Sequence, residues 1–219
     1  MTALKNLALC LLWMGSITGC AFSPSQSEGH SDSIQVLDSM VLDSVPADFP
    51  VRFATLSRNN RQYVAYYNKD RFLTIASRHL NDPEWQYKTL DSRVGWDSHN
   101  SIVMTMDQNK CLHISGNMHN DTLVYFIASQ PENISSLKRV LPQVSMEDEL
   151  RCTYPSFIKD GEGRLYFSYR IGGSGNGVTL LNRYNHESKS FERLSDKPLF
   201  DGLGQMSAYK SGPRLGPDG

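Results

Sequence analysis

Apolar and polar residues alternate along most of this chain in short runs separated by Asn, Asp and Gly, a period of two that predicts β-strands and tight turns. The clearest stretch spans residues 154–177. There Tyr154-Pro155-Ser156-Phe157-Ile158 and Leu165-Tyr166-Phe167-Ser168-Tyr169-Arg170 flank Asp160-Gly161-Glu162-Gly163-Arg164, a hairpin signal. A register symmetrical about Glu162 puts Tyr154 opposite Arg170 at the open end, with Cα atoms about 4.5–5.5 Å apart. One unit earlier, residues 101–106 and 111–115 flank Asp107-Gln108-Asn109-Lys110, and the same mirror puts His99 opposite His119. Two successive hairpins thus each present a pair of functional-type side chains at the open end. The polar loop Gly172-Gly173-Ser174-Gly175-Asn176-Gly177 follows, pliant enough for backbone to approach a ligand closely.

Turns of this kind recur near residues 59, 107, 160 and 218, in steps of roughly 50 residues. Further strand runs lie between them, at 71–76, 123–128 and 178–181. A repeat of about 40–50 residues holding four short strands is the signature of a β-propeller blade. A β-sandwich requires no such even recurrence. Helical periodicity is weak, and only residues 146–151 predict a short turn. The expected fold is therefore all-β, a β-propeller over residues 47–219. Residues 211–215 begin a fourth hairpin whose turn is Gly216-Pro217-Asp218-Gly219, without a return strand. An unpaired edge there leads to the expectation of a partial propeller, about half of a closed one and truncated at the C-terminus.

Composition changes this picture little. The chain has 219 residues, 39% of them hydrophobic, and a formal net charge of -1. That balance suits a soluble globular unit and, lacking a broad basic surface, argues against nucleic acid as a partner. An anionic ligand would have to be held by local Arg or Lys. The first 20 residues read as a secretory signal, with Lys5 before an apolar run over 7–14. Its exit, Ile17-Thr18-Gly19-Cys20, resembles a bacterial lipobox and makes Cys20 the expected lipidated residue. The expected location is the cell envelope, lipid-anchored in a membrane, with residues 21–46 as tether and lead-in. Cys111 sits at the closed end of its hairpin and Cys152 near the open end of the next, so both are expected to be buried free thiols rather than a disulfide.

Equivalent hairpin ends of a propeller fall on one face, so His99, His119, Tyr154 and Arg170 are expected to gather there. Removing a proton α to a carboxylate and expelling the β-oxygen needs a cation, a base and an acid. Arg pairs with carboxylate in a bidentate fork, His is a base near neutral pH, and Tyr beside Arg can serve as acid or base. Each has a plainer reading: a hydrogen-bonded structural His, a packing Tyr, or an Arg170 paired with a carboxylate such as Asp160. His113, between Leu112 and Ile114, reads as structural.

At these residues the chain resembles the BNR-4 repeat proteins, and among them the propeller ulvan lyases of polysaccharide lyase families 24 and 25. The matching stretches are Arg61-Gln62-Tyr63-Val64-Ala65-Tyr66-Tyr67, Trp96-Asp97-Ser98-His99-Asn100, Gly116-Asn117-Met118-His119-Asn120, Thr153-Tyr154-Pro155-Ser156-Phe157, and Tyr169-Arg170 through Ser174-Gly175-Asn176-Gly177. The resemblance implies a propeller that is seven-bladed when complete, and β-elimination on ulvan, a sulfated algal polysaccharide containing rhamnose and uronic acid. Carried over, His99 and Tyr154 look like the acid and base, in unassigned order. Arg170 looks like the carboxylate neutraliser and His119 like a second active-site histidine. Asn100, Asn176 and Tyr209 are candidate substrate contacts. No cofactor is expected, and a structural metal ion is left open. The alternatives are a non-catalytic glycan-binding propeller and a sialidase-like hydrolase, although the Ser-x-Asp-x-Gly-x-x-Trp box of the latter is missing.

Overall fold

The computed structural model describes residues 35–36, 39–48, 51–116, 118–206, 209 and 216–217. The signal segment with Cys20, most of the tether, Asn117 and most of the fourth hairpin lie outside the described residues. The chain divides into Met1–Met40, whose few described residues are irregular and exposed, and Val41–Gly219, which holds all the described strands.

The first sheet is an antiparallel meander of β1 (Ala54–Arg58), β2 (Arg61–Tyr67), β3 (Phe72–His79) and β4 (Gln86–Arg93). Its first turn is a two-residue one, since Arg58 pairs with Arg61. Asn59 and Asn60 both adopt positive φ there, +51° and +60°, as a hairpin loop matched to strand twist requires. Next come β5 (Ile102–Met106) and β6 (Leu112–Gly116), then the short β7 (His119–Asp121), β8 (Tyr125–Ala128) and β9 (Leu137–Arg139). The second sheet has the order β5-β6-β8-β9 and leaves β7 out. The third sheet is built on β10 (Cys152–Lys159), β11 (Leu165–Ile171), β12 (Val178–Asn185) and β13 (Ser190–Arg193). β7 joins its free edge beside β10, and β14 (Phe200–Asp201) pairs with β12. Three successive four-stranded meanders are blades of a β-propeller, and the 3-10 turn Asp148–Leu150 falls inside the stretch expected to form a short turn.

Aromatic side chains fill the space between blades. Tyr63, Tyr125, Phe167 and Tyr169 are fully buried, and Tyr125, Phe157, Phe167, Tyr184 and Phe191 meet at tilted or edge-on angles. Such pairs contribute about 0.5–1.5 kcal/mol each beyond their burial. His113 is embedded among them, its Nδ1 2.5 Å from the Tyr125 hydroxyl and its Nε2 3.4 Å from Asp107. Burial holds the imidazole below its ordinary pKa, in keeping with a structural residue. Cys111 and Cys152 are free and buried.

Contacts between turns fix how the blades stack. Asn59 Nδ2 donates to Glu132 at 2.7 Å, tying the first sheet to the second. Gln108 Nε2 donates to the Glu162 carbonyl at 2.9 Å, and Lys159 Nζ donates to the Met106 carbonyl. The closed ends of the second and third hairpins therefore lie together. Their open ends, where Ile102 pairs with Gly116 and Thr153 with Arg170, share the other rim.

Candidate active site

The register at that rim differs from the symmetrical expectation. Thr153, not Tyr154, pairs with Arg170, and Ser156 pairs with Ser168. Tyr154 and Pro155 together oppose a single residue, a β-bulge, and Tyr154 takes φ +55°. A bulky residue in the left-handed region is uncommon and costs about 1–3 kcal/mol. Bulges re-aim a side chain, and here the phenol leaves the ladder, with Tyr154 39% exposed. Thr153 also pairs with His119 on its other side. His119, Thr153 and Arg170 thus form one cross-strand row, and neighbouring strands stand about 4.8 Å apart.

The histidine pair also departs from its expected construction. His119 sits on β7 and belongs to the third sheet, while His99 lies in the loop between β4 and β5. Their rings nevertheless meet, stacked with centroids 4.3 Å apart and planes 21° apart. Asp97 brings them together. Its Oδ1 accepts from the His99 backbone N–H at 2.9 Å, an Asx turn, and lies 2.7 Å from His99 Nδ1. Its Oδ2 bonds His119 Nδ1. Asn100 closes the turn by donating from its backbone and side chain to the Asp97 carbonyl, at 3.2 and 3.1 Å. The His99 backbone N–H first, then the His119 imidazole, holds the Asp97 carboxyl well below the usual carboxylate range. An ionised Asp97 accepting from both Nδ1–H groups leaves each Nε2 as the basic nitrogen.

From this pair a line of rings continues along the rim. His119 lies 6.4 Å from the Tyr154 ring, Tyr154 lies 6.4 Å from Tyr209, and the Arg170 guanidinium sits 4.7 Å over Tyr209. Arg170 is only 5% exposed. It donates to the Gly172 carbonyl at 3.5 Å and to the Gly173 carbonyl, while its buried Nε has no partner. It does not pair with Asp160, which is held by Arg164 and Tyr166. A side chain at Gly177 would collide with the guanidinium. Asn176 Oδ1 accepts from Gly173 N–H at 3.1 Å, so its side chain shapes the same loop.

The structure thus brings His99, His119 and Tyr154 together, seats Asn100 beside them, and reaches Arg170 through Tyr209. A cleft of about 320 Å³ is lined by Arg52, Ser98, His99, Asn100, Ser101 and Tyr154. Asp97 escaped the reading of the sequence, although its place two residues before His99 is the spacing of an Asx turn. Asp97, His99 and His119 also offer ligand atoms within 4.8 Å of one another. Asp97 places one carboxylate oxygen on each Nδ1, so as arranged the three side chains form one hydrogen-bonded cluster.

The model of the BNR repeat-containing family matches residues 61–219. No curated protein matches the chain. Among solved structures it is similar to the polysaccharide lyase Uly1, with TM-score 0.58, 14% identity, and coverage of 74% of this chain and 45% of that one. It is also similar to a PL25 ulvan lyase bound to -[GlcA(1-4)Rha3S]-, with TM-score 0.51, 18% identity, and coverage of 67% and 36%. These likenesses show a shared propeller-type fold, and the chain spans less than half the length of each neighbour.

Proposed function

Because the chain belongs to the BNR repeat-containing family, we propose that it is a polysaccharide lyase that cleaves a sulfated, uronate-containing algal glycan, ulvan, by β-elimination. One observation carries this reading. Asp97 orients two stacked imidazoles beside an exposed phenol, and one of the two, His119, shares a cross-strand row with Arg170. Within it, Arg170 neutralises the uronate carboxylate, which acidifies the proton on the adjacent carbon. His99 or Tyr154 takes that proton, and the other protonates the departing glycosidic oxygen, according to the epimer at the reacting carbon. His119, between them, keeps the His99 ring in place and can hold a proton in turn. The electron pair of the broken C–H bond forms the C=C bond as the C–O bond breaks, leaving an unsaturated uronyl end. A substrate carboxylate reaches Arg170 only when Tyr209 swings off the guanidinium.

The fold similarity to polysaccharide lyases supports a glycan as substrate. The test is ultraviolet absorbance of the unsaturated product from ulvan. His99→Ala, Tyr154→Phe and Arg170→Ala should each lower the rate about 10²-fold or more, as losing one positioned group does. Full activity in all three variants sinks the reading. A second reading, a non-catalytic glycan-binding propeller, is favoured by the covered guanidinium of Arg170; such a protein binds ulvan without producing absorbance. We also propose that residues 1–20 are a signal, that residues 21–46 form a tether, and that lipid on Cys20 anchors the protein in the cell envelope. Cys20→Ser should then move it out of the membrane fraction, and unchanged fractionation refutes the anchor.

A further inference from the structure

The geometry points to Arg52 as a second anion-binding residue, one that grips an oxyanion on the sugar next to the cleaved uronate; this rests on the lyase reading above. Arg52 lines the cleft shared with His99 and Tyr154. It is exposed, and among the described residues nothing pairs with it. By contrast, Arg164 is committed to Asp160 and Glu162, and Arg193 to Asp148. Asp97, the acid next to the cleft residues Ser98 and His99 in the chain, spends both oxygens on the histidines. Arg170 stands beyond Tyr209 at the far end of the ring line. The phenol and imidazoles thus have two guanidiniums in reach of their surroundings, Arg170 covered by Tyr209 and Arg52 exposed on the cleft that His99 and Tyr154 line. A single carboxylate at the reacting sugar can use one of them. The other fits a chain that carries a negative group on each successive sugar, and a planar fork suits sulfate and carboxylate alike.

The source of that oxyanion, a sulfate ester or a second carboxylate, is separable with three probes: ulvan, chemically desulfated ulvan, and ulvan both desulfated and carboxyl-reduced. Titration calorimetry and initial rates compare the full chain with R52Q and R52K, thermal melting confirming that each variant folds. R52Q should raise Kd and KM on ulvan about tenfold, the low end for a charge-assisted hydrogen bond. It should leave kcat near wild type and flatten the salt dependence, with R52K recovering part of the loss. A loss that disappears on desulfated ulvan assigns Arg52 to the sulfate. One that persists there and disappears on the carboxyl-reduced glycan assigns it to a carboxylate. Unchanged Kd and KM, an equal loss on the uncharged glycan, or no binding by wild type overturns the inference. If wild type binds ulvan without cleaving it, the lyase reading fails, and the Kd comparison still decides the role of Arg52.

Discussion

Replacing Asp97 by Asn is the most incisive perturbation of the site, because it preserves shape while removing the charge that both imidazoles share. Asp97 accepts from His99 N–H, His99 Nδ1 and His119 Nδ1. Asn keeps one acceptor oxygen and turns an amide N–H₂ toward the other ring, so one imidazole loses its Nδ1–H partner and must reverse its tautomer. A hydrogen bond to a charged group is worth about 1.5–3 kcal/mol. The Asp97 side chain is 41% exposed, so solvent screening favours the lower end. On that basis kcat should fall about 10- to 100-fold with KM little changed. Long-range nitrogen–proton NMR of the imidazoles reads the positioning directly: both histidines carry the proton on Nδ1 in the wild type, and at least one does not in the variant. The pH dependence has a definite sign. The folded carboxyl ionises further into acid than in the unfolded chain, so its contribution to stability is present above about pH 4 and lost as pH falls below it. The melting difference between wild type and variant should therefore shrink toward about pH 3. A kcat within twofold of wild type together with unchanged tautomers refutes Asp97 as the positioning residue.

Gly177→Ala places a methyl into the Arg170 guanidinium, and should destabilise the fold by about 1–3 kcal/mol in urea unfolding while lowering activity on ulvan; a neutral result means the loop yields freely. His113→Ala leaves buried Asp107 without its imidazole and opens a void beside Tyr125 and Tyr184, at a cost of about 3–5 kcal/mol. Because burial depresses the His113 pKa, the folded state binds fewer protons than the unfolded chain. Stability should therefore fall as pH drops below about 6.5, and urea midpoints of His113→Phe should show a weaker fall. An identical pH profile in that variant assigns the acid sensitivity elsewhere.

What was legible in the sequence is what neighbours along the chain decide. The turns at Asn59-Asn60, Asp107 to Lys110 and Asp160 to Gly163 are local chemistry, and they join the strands expected. Their recurrence predicted blades, and blade stacking accounts for a common rim at the open ends. Mirror counting also put His99 near His119, yet for an incomplete reason. The rings meet because Asp97 bonds both and because β7 crosses to the third sheet, which no count within one hairpin reveals. The same counting misplaced Tyr154 by one residue, because a bulge, with Tyr154 at φ +55°, sets two residues of β10 opposite one of β11. The burial of Arg170 under Tyr209, and the opening of Arg52 onto the cleft of His99 and Tyr154, depend on segments more than thirty residues apart. Period and turn chemistry act over a few residues and therefore show in the sequence, whereas the meeting of side chains across blades is settled only when the sheets pack.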